Sequence, residues 1–483
     1  MDQFVRLSDK ITIPRIVIGL WQIADMEKDG NILNPENASD HLNSYADNGF
    51  TAFDMADHYG SSEIIAGVFK NKSQLSDKIN LFTKWVPVPG KISRDSTREA
   101  IERALIRMNQ SQIDLMQFHA WHYQDSSWID ALSYLKDLQE EGLVKNIGVT
   151  NFDTSHLRIA LSSGIPIVSN QVCYSLLDRR ASFEMSELCE QFDIKLFAFG
   201  TLAGGFLSNR WLGKKEPEID NNLNWSQMKY KRFIDITGGW NKFQKLLEQL
   251  DSIAKKKNST IANISSRYIL EDPNVASVII GARLGENNHI EDHKKISNIT
   301  LSAEEKNLIS KSLNLLTRVP GDCGDEYRKP PFLTASGDLS HHFDSIPNVY
   351  EVKNVNHMRK NISSNTSWEK MASYSRAVKF GNRIIVSGTT ATHENRVIGI
   401  KDPIAQTDFI IDKIEASISS LGGRLEDVVR TRVFVKNIND WQKIAETHGR
   451  RFKDINPANT LVQANLVGDD YLVEIEAEAI LNE

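Results

Sequence analysis

Four residues in the first quarter of the chain could together move a proton onto or off a small molecule: Asp54, Tyr59, Lys84 and His119. A tyrosine has an ordinary pKa of about 10 and is a weak acid at neutral pH, but a nearby ammonium favours its phenolate. Lys84 is the candidate for that charge, Asp54 for the partner that holds Lys84, and His119 for the group that orients a carbonyl oxygen. Tyr59 then protonates the oxygen as hydride arrives. Each residue alone has a plainer explanation, as helix cap, snorkelling lysine, loop packing or satisfied histidine. His119 and His122 also have the spacing of two metal ligands, but no carboxylate pair or cysteine stands near them in sequence, so no metal is expected.

For the quartet to act, the fold must bring it together. Short apolar runs recur at Ile16–Leu20, Thr51–Asp54, Ile79–Lys84, Ile113–His119, Val144–Val149, Ile167–Gln171, Ile194–Phe199 and Val275–Ile280. They read as about eight buried strands. Between them lie segments of helical spacing such as Arg94–Met108, where Ala100, Ile101, Ala104, Leu105 and Met108 form one stripe. Apolar strands covered by amphipathic helices predict a parallel sheet buried on both faces, and this number of repeats predicts closure into a (β/α)8 barrel. Asp54, Lys84 and His119 end successive strands, where the chemistry of such barrels sits, with Tyr59 in the following loop. Phe4–Leu7 and Ile11–Pro14 read as a hairpin that could plug the barrel's bottom. The long interval after Phe199 is expected to hold a rim loop near Leu212–Gly239, then a helix over Trp240–Lys257.

With 483 residues the chain exceeds one ordinary core, so a large and a small domain are expected. A charged fraction of 25% and a net charge of −6 argue for a packed protein and against a nucleic-acid surface. No apolar run approaches the ~20 residues of a membrane span, and the start resembles no signal peptide, so a cytoplasmic location is expected. Cys173, Cys189 and Cys323 are dispersed and odd in number, which offers no disulfide framework.

The stretches Ala52–Gly60, Phe82-Thr83-Lys84-Trp85, Asp114–His119, Gly148–Phe152, Asn170–Arg179 and Val278–Arg283 resemble the aldo-keto reductases over about residues 4–317. The resemblance implies an NAD(P)(H)-dependent oxidoreductase that interconverts a small aldehyde, ketone or sugar carbonyl with its alcohol, with the quartet as its catalytic tetrad. It places Thr150, Asn151 and Gln171 at the nicotinamide carboxamide and Phe199 against the nicotinamide ring. Gly200, Thr201, Leu202, Gly204 and Leu207 then fall in the pyrophosphate loop, and Gly281 and Arg283 near the adenosine end. A guanidinium there favours NADP(H) over NAD(H).

From about Arg318 the pattern breaks at Pro320-Gly321 and Lys329-Pro330-Pro331, so residues 1–320 are expected to form the barrel and 321–369 a linker. Tyr327–His342 is expected either to pack over the barrel mouth or to be plain linker. Residues 370–483 read as a small α+β unit: strands near Ser375–Phe380 and Arg383–Ser387, a helix Pro403–Leu421, a strand Val428–Val435, a helix Trp441–Asp454, and paired strands Leu461–Leu466 and Leu472–Ile480. Tyr374–Val378, Ile385–Gly388, Asn456–Thr460 and Val473–Ala477 resemble the Rid (reactive intermediate deaminase) family, whose fold is chorismate-mutase-like. That resemblance implies a trimer with clefts between subunits. Deaminating members grip a carboxylate with an arginine after Pro-Ala; here that residue is Asn459, which cannot form a bidentate ion pair.

Three functions remain open on the sequence: a carbonyl oxidoreductase with a Rid-like appendage, a nucleotide-binding regulatory protein on the same barrel, and a bifunctional enzyme whose second domain hydrolyses imines or enamines.

Overall fold

The computed structural model describes residues 3–27, 30–218, 223–285, 289–329, 340, 342 and 346–482. A hairpin of β1 (Phe4–Ser8) and β2 (Ile11–Pro14) precedes the eight strands β3 (Ile16–Gly19), β4 (Ala52–Asp54), β5 (Asn80–Trp85), β6 (Leu115–Phe118), β7 (Ile147–Thr150), β8 (Ile167–Cys173), β9 (Lys195–Phe199) and β10 (Val275–Gly281). These eight pair in parallel and close, β10 against β3, into the expected barrel. Their residues are buried on both faces almost throughout, which is why the runs are apolar without alternation. Leu7, Ile11 and Ile13 of the hairpin pack with Val17, Phe82, Leu115 and Phe197 inside the barrel, closing its bottom.

Register brings the chemistry-bearing residues level. Gly19 pairs with Asp54, Lys84 with Gln117, and Thr150 with Gln171. The catalytic end is therefore one ring of strand termini.

The interval between β9 and β10 is more ordered than the sequence suggested. A helix, Trp225–Ile236, stands where a rim loop was expected. Asn224 accepts from the Gln227 backbone while the Gln227 side chain bonds back to Asn224, a capping box that the Asn-x-x-Gln spacing contained.

The second domain is built on one sheet, ordered β11-β12-β13-β14-β19-β17-β18. Its strands are β11 (Val352–Asn354), β12 (Arg359–Ile362), β13 (Ala377–Phe380), β14 (Arg383–Thr389), β17 (Val428–Val435), β18 (Ala458–Gln463) and β19 (Val473–Ile480), while β15 (Thr392–His393) and β16 (Arg396–Val397) form a separate small hairpin. Two of these strands, β11 and β12, lie in the segment read from sequence as linker; they are short and largely exposed, so they carry no apolar period. β18 pairs in parallel with β17, and β19 runs between β17 and β14, so the last two strands are not each other's neighbours. Alternation along β19 marks a buried face but cannot name the strand beside it.

The helix Pro403–Ser420 is covered on both sides. Phe409, Ile410 and Ile414 are fully buried, whereas Asp402, Asp412 and Glu415 meet the barrel helices. Asp402 accepts from Arg158 at 3.0 Å and from Ser162 at 2.7 Å. The β15–β16 hairpin adds His393 at 2.7 Å from Asp130, and Arg396 pairs with the same carboxylate. At the centre, His156 of the barrel helix Thr154–Ser162 lies between Asp153, 2.6 Å from Nδ1, and Asp412 of the second domain, 3.0 Å from Nε2.

Burial alone would depress the His156 pKa, but the two carboxylates outweigh it and raise it to about 9. A histidine raised above its unfolded value of about 6.5 contributes stability that is complete below that value and lost as pH climbs through the folded pKa. The stability difference between wild type and His156→Gln in urea unfolding should therefore shrink by about 3 kcal/mol between pH 6 and pH 10. A difference independent of pH over that window would show that His156 is not held as imidazolium.

Candidate active site

Asp54 and Lys84 form the floor of the barrel mouth. Lys84 Nζ lies 2.6 Å from Asp54 Oδ2 and donates to the Met55 carbonyl at 2.8 Å. The second oxygen, Asp54 Oδ1, accepts from Gln117 at 2.9 Å and Gln171 at 2.8 Å. Both charged groups are almost wholly buried, so such a pair persists only because these donors satisfy the carboxylate. Gln117 was not singled out in the sequence, although it stands opposite Lys84 in the strand register.

Tyr59 stands above this pair, with Lys84 Nζ 4.8 Å from its ring centroid and Trp21 edge-on at 4.9 Å. Its loop is tied down by Glu27, which accepts from the Ser61 backbone at 2.8 Å. A Cβ at Gly60 would collide with that same carboxylate, which explains the glycine. His119 is buried, with Nδ1 3.4 Å from the Thr150 carbonyl and its ring edge-on to Trp121 at 4.7 Å. The structure thus brings all four residues to one mouth.

The electrostatics differ from the sequence expectation in one respect. Burial, reinforced by the Asp54 charge, pushes the Tyr59 phenol well above its ordinary value, and no lowering by Lys84 emerges. The reason is that Lys84 is neutralised by Asp54 at contact distance, and burial also lowers the lysine's own pKa. Burial, then the Arg328 charge, holds His119 well below the usual histidine range. At neutral pH the mouth therefore presents a neutral phenol and a neutral imidazole over an ion pair.

Of the residues assigned to a cofactor, Thr150, Asn151 and Gln171 line one side of the mouth. Thr150 Oγ1 donates to the Gln171 carbonyl at 3.1 Å, and the Asn151 backbone, at a left-handed φ of 58°, donates to the same oxygen at 2.8 Å. The Asn151 side-chain oxygen is buried with no hydrogen-bond partner among the described residues, as an acceptor for a carboxamide N–H would be. Gln171 spends its amide on Asp54 and Gln117. Phe199 ends β9 half-buried, with Lys229 Nζ 5.2 Å from its ring centroid.

The loop after it turns through Gly200 and Gly204 at positive φ. A Cβ on Gly200 would fall 2.0 Å from the Tyr230 hydroxyl, so the rim helix Trp225–Ile236 uses this close approach. Thr201 contacts Ser266 at 3.4 Å, Leu207 is buried, and Leu202 is half-buried. Gly281 ends β10 beside Gln22, whose oxygen accepts from Arg283 at 3.1 Å.

Two mouth residues, Tyr327 and Arg328, open the stretch that the sequence left as either a cover for the barrel mouth or plain linker. Tyr327 meets the His119 ring edge-on at 5.9 Å, and its hydroxyl accepts from Lys229 at 3.2 Å. Arg328 donates to the Ala120 carbonyl at 2.8 Å and to the Asn151 carbonyl. Of the stretch Tyr327–His342, Tyr327 and Arg328 thus belong to the mouth, whereas 330–339 and 341 lie outside the described residues, His341 among them. Gly324 permits the docking, since a Cβ there would sit 2.0 Å from the Asn151 oxygen.

In the second domain Asn459 donates to Thr431 Oγ1 at 2.9 Å, which contacts His448 Nε2 at 2.9 Å. Asn459 and His448 border a cavity of about 220 Å3 with Val433, Ile444, Phe452 and Leu461 among its walls. Tyr374 is exposed, and burial raises the Glu474 pKa, with Glu476 adding to the shift.

The family model described as Aldo/keto reductase family matches residues 15–314, and the model described as Endoribonuclease L-PSP matches residues 365–481. A chloroplastic pyridoxal reductase of Arabidopsis thaliana is 27% identical over 46% of this chain, which spans 63% of that protein's length. An NADH-specific methylglyoxal reductase of Escherichia coli is 24% identical over 64% of this chain and 97% of its own. A RutC family protein of Pyrococcus abyssi is 35% identical over 22% of this chain and 84% of its own. Among solved structures, a thermostable aldo-keto reductase in complex with the inhibitor epalrestat superposes with a TM-score of 0.51 at 25% identity, covering 64% of this chain and 99% of that one. No described helix is long and apolar enough to cross a membrane.

Removing one member of a buried ion pair strands the other. Lys84→Met should cost about 3–5 kcal/mol in urea unfolding at neutral pH, and Lys84→Met combined with Asp54→Leu should recover much of it. A single-variant loss below about 1 kcal/mol would mean that Asp54 is satisfied by Gln117 and Gln171 alone.

Proposed function

Because the chain belongs to the aldo/keto reductase family through residues 15–314 and carries a Rid-type domain behind it, we propose that its barrel interconverts a small carbonyl compound and its alcohol, with Asp54, Tyr59, Lys84 and His119 as the catalytic groups. The observation that carries this reading is their convergence: a phenol 4.8 Å from an ammonium and a neutral histidine, all in one mouth. A bound nicotinamide would supply or accept the hydride. In reduction the neutral Tyr59 gives its proton to the carbonyl oxygen, and the phenolate that forms faces the Lys84–Asp54 pair, whose ammonium lies 4.8 Å from the ring centroid. His119, uncharged, hydrogen-bonds the same oxygen and orients the carbonyl. In oxidation the steps reverse, with the alcohol proton passing to Tyr59.

The acceptor at Asn151 Oδ1, the Phe199 face and the glycine loop after it fit a nicotinamide cofactor. Arg283 supports NADP(H), through the bidentate pairing a guanidinium offers a phosphate, while the name of the Escherichia coli relative points to NADH. Both nucleotides therefore belong in any test. The Rid-like domain lacks the carboxylate-gripping arginine, so we assign it the binding of a different small molecule or the organisation of oligomers. Phe380, Ile385, Val429, Val462 and Ile480 are exposed along the sheet face away from the helices, which supports the second role.

Purified protein should oxidise NADPH or NADH with at least one member of a broad carbonyl panel, or reduce the oxidised nucleotide with an alcohol. Tyr59→Phe should lower kcat by about 10²–10⁴-fold, the usual yield of a positioned acid, with nucleotide affinity changed little. Nucleotide turnover that Tyr59→Phe leaves intact would refute the assignment, as would silence across the panel in both directions.

A further inference from the structure

Besides Lys84 and Lys229, the mouth holds a buried cation, Arg328, whose pairing among the described residues is incomplete. Arg328, at the end of the helical turn Asp325–Arg328, has only 7% of its surface exposed. Its Nε donates to the Ala120 carbonyl at 2.8 Å, and Nη1 donates to the Asn151 carbonyl and at 3.3 Å to Gly324. The guanidinium carbon Cζ lies 4.7 Å from the Tyr123 ring centroid. Nη2 is buried with no hydrogen-bond partner among the described residues.

Among the described residues, the neighbouring carboxylates face other cations. Glu326 pairs with Arg180 at 2.7 Å and faces Lys229 at 3.6 Å. Asp325 pairs with Lys329 at 3.0 Å, and Asp153 with His156 at 2.6 Å. Among the described residues, the buried Arg328 guanidinium thus has carbonyl dipoles and an aromatic face against it and no carboxylate. Such a charge is costly unless an anion completes it.

Its position says what the anion would accompany. Ala120 follows His119, and Asn151 follows Thr150, so the guanidinium bridges the chain just beyond two groups of the reaction site. Its charge is also felt at His119, where it adds to burial in keeping the imidazole neutral. Lys229, another buried cation of the mouth, is already engaged by Tyr327 and Glu326.

We propose that Arg328 binds a carboxylate of the substrate through Nη2, so that the barrel prefers carbonyl compounds that also carry a carboxylate. This rests on reading the mouth as a carbonyl oxidoreductase site, and it places acid recognition in the barrel, where the chain has an arginine, and not at Asn459. A guanidinium hydrogen bond to a carboxylate is charge-assisted, and a neutral amide in its place forfeits that gain.

Calorimetric titration of the full chain with 4-carboxybenzaldehyde and with its neutral isostere 4-formylbenzamide tests the proposal, alongside steady-state turnover of both with NADPH and NADH. The acid should bind at least ten times more tightly than the amide. Arg328→Met should bring the ratio close to one, and Arg328→Lys, which keeps the charge, should restore part of it. Should Arg328→Met fail to fold, the wild-type ratio and the inhibition by benzoate against benzamide still decide. Equal affinity for acid and amide in the wild type overturns the proposal, as does a preference that survives Arg328→Met. Equal turnover of both compounds sinks the acid preference while leaving the oxidoreductase reading intact. A carboxylate-selective, Arg328-dependent binding without turnover of any carbonyl supports the anion site and counts against that reading.

Discussion

The Lys84–Asp54 pair is the constraint around which the barrel mouth is arranged. Two opposite charges 2.6 Å apart and almost wholly buried are tolerated only when their remaining hydrogen-bonding capacity is met. Met55, Gln117 and Gln171 meet it, from the loop after β4 and the ends of β6 and β8. The pair therefore fixes the relative height of several strand ends and keeps the floor of the mouth electrically neutral. Over that floor burial decides the protonation of Tyr59 and His119, and both remain uncharged. Neutrality suits a proton donor, because a tyrosine already ionised would have no proton to give.

A different electrostatic arrangement joins the two domains. The Pro403–Ser420 helix has an apolar side for its own sheet and carboxylates for the barrel, and the barrel answers with His156 and Arg158. Arg451, on the helix Trp441–Arg451, holds Asp412 at 2.7 Å and Glu415 at 3.1 Å from the second-domain side. Asp412 is thus shared between an arginine of its own domain and a histidine of the barrel. A purely apolar contact would bury more area per residue, but carboxylates fixed by cations at known positions also fix the angle at which the helix lies.

The barrel was legible because its signal is repeated: eight apolar runs, separated by segments of helical spacing, leave little freedom for another closure. The quartet was legible for the same reason, since Asp54, Lys84 and His119 terminate successive runs. What escaped is instructive in kind. Gln117 is a strand-end residue of a type that names no chemistry, and its role arises only from the Asp54 oxygen beside it. Tyr327 and Arg328 belong to a single helical turn between Gly324 and Pro330, too short for any period, and reach the mouth from far along the chain. The strands β11 and β12 are mostly exposed, so hydrophobic patterning could not mark them. A lowering of the phenol's pKa was expected because spacing shows that a lysine is near but not that an aspartate has already neutralised it.

The chain thus handles acid recognition differently in its two domains. At Asn459 the amide donates to Thr431, which in turn meets His448, and the wall of that cavity is completed by apolar side chains. Asn459 is itself exposed, and its amide offers an anion no charge to pair with. In the barrel the reverse holds: Arg328 is retained, buried, and held in place by backbone carbonyls that cannot cancel its charge. A buried cation bound by dipoles alone is poised for an anion in a way that one already paired with a carboxylate is not. Its place beside His119 makes that anion part of whatever the mouth binds.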